Sequence, residues 1–346
     1  METKLIGFED VALAVDALKR GEVIAFPTET VYGLAAIASK KEAFDKLVEI
    51  KKRTPGKPFT LMCSSISMAV EYADVNMRCI AVMKRFLPGK ITLLLKARGE
   101  DDPWVTLGGE TIGIRVPDKK EIRDLIDMVG CPLLVPSANV SNEAPLVNHE
   151  DVYKAFKGQI PYVIKGECEE KTPSTIINLY GIKPTLVREG PIAFADVVET
   201  YTSANVKIAI GSDHGGYAAK ETIEEHLIDR EFQVQDCGTY SEASCDYPDY
   251  AFAVSKAVVQ GADFGIVVCT SGEGVCIAAN RDKRIRCGIG YNDEVTSKMR
   301  EHNNANVIAF GQKYMDIKDI LRRVDIFLSE KFSVEEKHHR RVDKLS

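Results

Sequence analysis

Apolar and polar positions follow two different rhythms along this chain. Over the first 200 residues, short apolar runs recur at irregular intervals: GEVIAFP (21–27), TLMCSS (60–65), KITLLLKA (90–97), IGIRVP (112–117), CPLLVP (131–136) and STIINL (174–179). Each is rich in strand-forming residues and is closed by polar, Pro or Gly signals. Between them, KKEAFDKLVEIKK (40–52) sets Ala43, Phe44, Leu47 and Ile50 near helical spacing. Many short strands with few long helices predict an α/β domain built on a twisted mixed sheet.

From Val206 the alternation becomes regular. KIAIGSDHGGYAAKETIEEHLIDR (207–230) reads as strand, glycine-containing turn and helix. QVQDCG (233–238) is a strand and DYAFAVSKAVVQG (249–261) a helix. FGIVVCTSGEG (264–274) is a buried strand running into a glycine-rich turn, and VCIAANR continues as a helix. RCGIGYN, the helix DEVTSKMREHN and the strand ANVIAFG follow. Repeated β-α units predict a Rossmann-like, doubly wound parallel sheet. The short polar segment YTSAN (201–205) is read as the linker between domains at 1–200 and 206–346; no internal repeat links the halves.

Composition narrows the classes. The 346 residues are 45% hydrophobic and 28% charged, ordinary values for a globular protein and unlike disordered or collagen-like chains. The longest apolar stretches, such as Phe264 to Cys269, are far below the ~18 residues of a membrane span. METKLIGFED lacks a basic region leading into an apolar one, so no secretory signal is expected. Net charge is −6, with 26 cationic against 28 acidic residues up to position 200 and 19 against 23 beyond. Neither half has the positive excess that non-specific nucleic-acid binding requires. Small-molecule substrates met by local cations fit better. Nine cysteines, odd in number and without CxxC pairing, predict reduced thiols and a cytoplasmic location. Five of six histidines lie beyond residue 213, so histidine acid–base chemistry is expected only in the second half.

Four segments of the first half carry polar side chains suited to binding. PTETVYGLA (27–35) follows a strand and offers Thr28, Thr30 and Tyr32. KKRTPGKP (51–58) brings Lys51 and Arg53, which splay apart at a helix end unless the chain turns there; two converging cations suit a triphosphate or carboxylate. VPSANVSN (135–142) alternates Ser137, Asn139 and Ser141, fit for phosphate or ribose or simply for capping a turn. PSTIINL places Ser174 and Thr175 at a strand entrance, with Arg188 further on in VREG. No GxxxxGK[ST] loop and no metal-ligand spacing occur here.

Together these segments, with LPGKITL (87–93) and GIRVPD (113–118), resemble the YrdC/YciO family over residues 7–194. The resemblance implies an L-threonylcarbamoyladenylate synthase that joins L-threonine, bicarbonate and ATP, releases pyrophosphate, and passes the adenylate to a tRNA-modification transferase acting at adenosine 37. By resemblance, Thr28, Lys51, Arg53, Ser137 and Asn139 face threonine and phosphates, Ser174 and Arg188 complete the nucleotide site, and Mg2+ arrives with ATP. Two features depart from the family pattern: Thr54 precedes Pro55 where Pro commonly follows the arginine directly, and FTLMC (59–63) resembles the YciO branch. A non-catalytic YciO-like module, or one binding double-stranded RNA or tRNA through a patch at Lys51, Lys52, Arg53 and Lys57, is the alternative.

The second half carries its own chemistry. GSDHGGYAAK (211–220) sets Asp213 and His214 at a strand's C-terminal end, where open α/β sheets bind ligands. CTSGEGVCIAANR (269–281) delivers Cys269 into a turn whose successive amides form an anion nest, favouring partial thiolate. Cys276 and Cys287 read as inert core thiols. His302 and Asn303 sit at a helix end, which raises a histidine pKa modestly. The tail EEKHHRRVDK (335–344) reads as a solvated charge run.

Residues 207–344 resemble ribose-5-phosphate isomerase type B, through IAIGSDHGGY, DCGTYSEASCDYPDYA, the Cys269 loop, IAANR, REHNNANV and KHHRRV. The implied reaction interconverts D-ribose 5-phosphate and D-ribulose 5-phosphate through a cis-enediolate, without metal or cofactor. By resemblance Cys269 is the C2 base, and amides of the Ser271–Gly274 loop, Gly272 included, stabilise the enediolate. His302 opens the sugar ring from a neighbouring subunit. Asp213, Tyr247 and Asn303 hold hydroxyls; His214, His338 and Arg341, with Lys313 and Arg340, hold the phosphate. At least a homodimer through this domain follows. Thr270 and Lys313 replace a frequent glycine and arginine, and a six-carbon sugar phosphate (galactose or allose 6-phosphate) is the alternative substrate.

Overall fold

The computed structural model describes residues 2–53, 56–99, 102–139 and 143–345. Thr54, Pro55 and Ser141 lie outside the described residues. The chain divides into two compact units, Met1–Asp74 with Arg85–Thr202, and Val75–Lys84 with Ser203–Ser346. No helix among the described residues is long and apolar enough to cross a membrane.

The first unit is built on a mixed sheet. Its strands are β1 (Lys4–Ile6), β2 (Ile24–Pro27), β3 (Tyr32–Ile37), β4 (Leu61–Met62), β5 (Ala73–Asp74), β6 (Ile91–Ala97), β7 (Thr111–Arg115), β8 (Leu133–Leu134), β9 (Tyr162–Ile164), β10 (Thr175–Asn178) and β11 (Thr185–Arg188). Their order is β1-β9-β2-β3-β8-β4-β7-β6-β10-β11, with β5 paired to β6. Antiparallel β2–β3 and parallel β4–β7 occur in one sheet, as the irregular apolar runs predict.

Two pairings gather the polar motifs. The β2–β3 hairpin turns through Thr28–Val31, where Thr28 Oγ1 donates to the Val31 carbonyl (2.7 Å) and accepts from the Thr30 amide (3.2 Å). The segment 136–138 is stitched to that hairpin: Leu34 N donates to Pro136 O (3.0 Å) and Ala138 N to Tyr32 O (2.6 Å). On the other side, β6 pairs β10 with Ile176 beside Thr92, and β10 pairs β11 with Ile176 beside Arg188.

The helix Lys41–Lys51 buries Ala43, Leu47 and Lys51, one face at steps of four. Its apolar stripe therefore ends in a cation aimed inward. One strand went unannounced and one local expectation changes. The strand YGLAAI (32–37) is buried throughout, so no alternation announced it. The expected linker is partly helical: Phe194–Ser203 runs through it, burying Val197 and Tyr201 one turn apart.

The second unit carries a five-stranded sheet of β12 (Lys207–Ser212), β13 (Gln233–Asp236), β14 (Phe264–Cys269), β15 (Cys287–Ile289) and β16 (Val307–Gly311), in the order β13-β12-β14-β16-β15. Every pairing is parallel. The chain leaves β12 to one side and returns to the other, so the switch point falls between β12 and β14. Asp213 and Cys269 stand at the C-terminal ends of those strands, with Asp213 N donating to Val268 O (3.3 Å).

Candidate active sites

In the first unit a cavity of about 380 Å³ is lined by Lys51, Arg53, Ser137, Asn139, Ser174 and Arg188, together with Lys57, Thr92 and Arg115. Six of the seven residues expected there line it. Thr28, the seventh, is buried behind Arg115, whose Nη2 lies 3.5 Å from Thr28 Oγ1.

Lys51 is 3% exposed. Its Nζ donates to Ser137 O (2.5 Å), Asn139 O (2.7 Å) and Asn139 Oδ1. Burial first, then the Arg53 guanidinium, push its pKa down to about 8, against Glu143, which holds it up. The splay expected of Lys51 and Arg53 does not occur, because Lys52 adopts left-handed φ 49° and ends the helix. Arg53 then turns back, donating to Lys57 O and Pro58 O (2.8 Å each) and stacking 4.5 Å over Phe59. Arg188 donates to Ser174 O (2.7 Å), and Ser174 Oγ meets Thr92 Oγ1 at 2.9 Å. Burial, then Arg115, lower the Arg188 pKa.

Arg115 and Glu29 are the residues sequence reasoning missed. They form a buried ion pair at 2.7 Å. Arg115 Nη2 also donates to Thr30 Oγ1 (2.7 Å), while Glu29 Oε2 and Arg115 Nε are buried without hydrogen-bond partners. The signal was a lone cation ending the apolar run IGIR. Among the described residues, the one cluster of His, Cys, Asp or Glu with metal-holding proximity is Glu221, Glu224 and Asp236. It surrounds the buried Lys220 ammonium in the second unit, which already supplies its counter-charge.

In the second unit the expected residues fall into two groups. Cys269, 4% exposed, ends β14. Gly272 has φ 84° and caps the helix Glu273–Ala279; its amide donates to Cys269 Sγ (3.1 Å). The Tyr247 ring lies directly against Gly274. His214 Nδ1 accepts from the Cys245 amide (3.2 Å), which places the neutral ring's proton on Nε2. Asp213 Oδ1 is buried without a partner, and Lys313 N donates to Thr270 O (3.1 Å). Ser271 completes this group.

His302, Asn303, His338, Arg340 and Arg341 form the other group. His302 is the C-cap of the helix Asp293–Glu301, which leads into the start of β16. Cys269 pairs with Gly311 at that strand's far end. Five residues of strand, roughly 13 Å of rise, separate the two ends. One chain does not bring Cys269 and His302 together. The expected rise in the His302 pKa is corrected: burial lowers it, with His338, Lys298 and Lys337 acting the same way and Glu301 opposing. The tail is corrected too, being the helix Glu336–Val342 with His338 buried and only 4% exposed, while Arg340 and Arg341 are exposed.

A cation-lined cavity in the first unit and a thiol at a sheet switch point in the second mark one candidate enzyme site in each. The chain belongs to two families: residues 16–190 to Sua5/YciO/YrdC, described as telomere recombination, and residues 208–345 to LacAB/RpiB, described as ribose/galactose isomerase. It is 33% identical over 207 residues to the threonylcarbamoyl-AMP synthase of Bacillus subtilis, covering 59% of this chain and 57% of that protein. It is 38% identical over 141 residues to the probable ribose-5-phosphate isomerase B of Mycoplasma genitalium, covering 40% and 92%. The structure of Escherichia coli YciO is similar with a TM-score of 0.53 and 26% identity, over 57% of this chain and 99% of that one.

Proposed function

We propose that the chain is a bifunctional enzyme: an L-threonylcarbamoyladenylate synthase in its first half and a ribose-5-phosphate isomerase in its second. The observation carrying the first assignment is the convergence of Lys51, Arg53, Arg115 and Arg188 on one cavity. Threonine's amine and bicarbonate give a carbamate and water. A carbamate oxygen attacks the α-phosphorus of ATP, and pyrophosphate leaves. That step needs charge neutralisation and alignment rather than a general base. Lys51, Arg53 and Arg188 meet the phosphates; Ser137, Asn139 and Ser174 orient threonine and nucleotide; Thr28 supports the wall through Arg115.

In the second half, Cys269 as thiolate takes the C2 proton of the open sugar and returns it to C1, and the Ser271–Gly274 amides meet the enediolate oxygen. Asp213 and Tyr247 hold hydroxyls; His214 Nε2 and Lys313 meet the phosphate. His302 moves the ring-opening proton from a second copy, together with Asn303, Arg340 and Arg341. The separation of Cys269 from His302 along β16 supports a homodimer. The ribose/galactose description of the family keeps six-carbon sugar phosphates as the competing substrate class.

A second reading of the first half follows from its likeness to YciO across nearly all of that chain: a module that binds RNA or nucleotide without turnover. Pyrophosphate release by the full chain decides. Release from ATP that requires both L-threonine and bicarbonate, and is lost in Lys51→Ala, is the expected result. No release from protein whose isomerase is active sinks the synthase reading.

A further inference from the structure

His302 and His338 sit on different helices yet stack face to face, ring centroids 4.2 Å apart and planes 7° from parallel. The His338 ring is buried and its Nδ1 has no hydrogen-bond partner. That nitrogen is shut off from solvent and from any hydrogen-bond partner. A ligand for a sugar phosphate needs an accessible donor, preferably cationic. The buried His338 ring is not accessible, while the adjacent Arg340 and Arg341 are exposed.

The surroundings of His302 are sparse in hydrogen bonds and rich in charge. Glu301 Oε2 lies 3.5 Å from His302 Nε2 and is itself paired with Lys298 (2.7 Å). From the helix Glu336–Val342, Lys337 faces the same space and pairs with Glu335. A histidine at a helix C-cap can occupy several rotamers about its two side-chain torsions. Ordering it at the moment of reaction costs entropy unless a neighbour has already fixed it. The parallel His338 ring is that neighbour: it covers one face of the His302 imidazole and leaves the nitrogen-bearing edge uncovered.

Resting on the isomerase reading above, we propose that His338 is a positioning residue for His302, fixing the plane of the ring that moves the sugar's ring-opening proton, and is not itself a phosphate ligand.

The test uses the full-length chain and two variants, His338→Ala, which removes the stack, and His338→Phe, which keeps it without a donor or acceptor. D-ribose 5-phosphate turnover is measured across pH, and the His302 ring resonance is titrated without substrate. The expected result for His338→Ala is a fall in kcat of about tenfold, a modest share of what acid–base groups supply. KM stays within about twofold, since uniform binding is untouched. The acid limb of kcat/KM and the His302 titration midpoint both move up in pH. His338→Phe restores kcat. A large rise in KM in both variants with kcat retained makes His338 a phosphate ligand and overturns the proposal. So does His338→Phe being as slow as His338→Ala, or an unmoved His302 midpoint in His338→Ala. An inactive wild type overturns the isomerase reading instead, and the titration then still decides whether His338 governs the His302 ring.

Discussion

The Gly272 amide donates to the Cys269 sulfur across 3.1 Å, from a residue whose φ of 84° only glycine holds without strain. This bond fixes the thiol at the end of β14, while His302 stands at the opposite end of the neighbouring strand. Cys269→Ala and His302→Ala chains should each be inactive as isomerases. Mixed, unfolded and refolded together, they should regain about a quarter of wild-type activity, because half the random dimers carry one intact composite site of two. No recovery from correctly paired mixtures would sink the shared site.

The Arg115–Glu29 pair should be structurally costly to break. Removing one partner of a buried pair costs about 3–5 kcal/mol, because the other charge is left unmet. Trp104 is the only tryptophan in the sequence, and its Nε1 donates to Ala38 O (2.8 Å) in the first unit. Its fluorescence during urea unfolding should report that loss for Glu29→Gln. A change below about 1 kcal/mol would mean the pair behaves as though solvated.

Lys51 carries a pH signature. With its pKa down at about 8, the free protein loses this cation as pH rises through 8. Triphosphate favours the charged ammonium, so ATP binding near pH 8 should take up a proton. Calorimetry in buffers of different ionisation enthalpy measures that uptake, which should vanish in Lys51→Arg. Identical enthalpies in all buffers for the wild type would remove Lys51 from the phosphate site.

Gly216 allows a close approach behind the second site. A Cβ there would lie 2.6 Å from the Val268 carbonyl and 2.9 Å from Cys269 N. Gly216→Ala must push the helix Tyr217–Asp229 or β14 aside. An ångström of misplacement can cost about 10²-fold in rate, so isomerase kcat should fall by that order while pyrophosphate release persists. An isomerase within threefold of wild type would show that the backbone yields elsewhere.

Much of this was legible along the chain because short polar motifs closed apolar runs. Asp213 and Cys269 were readable as strand ends, since regular β-α alternation fixes where a parallel sheet places its C-terminal edge. Lys51 lies on the same face as Ala43 and Leu47, so its burial was available from spacing of four alone. What escaped was set by backbone and long-range contacts. Lysine rarely takes the left-handed conformation that turns Arg53 inward at Lys52. Arg115 hid in an apolar strand, its partner 86 residues earlier. The His302–His338 stack joins two helices by tertiary packing, which local propensity does not encode, and burial there lowers the His302 pKa that a helix end alone would raise.

The distance between Cys269 and His302 along β16 has a consequence for the other half of the chain. Under the proposed shared site, completion only across two copies ties isomerase turnover to subunit association, and its specific activity should fall on dilution. The cation-lined cavity is built from residues of the first unit, and the proposed synthase activity should carry no such dependence. Because the two units are covalently joined, every such pair would also carry two of these cavities at fixed stoichiometry. Dilution would then separate two activities that purification never could.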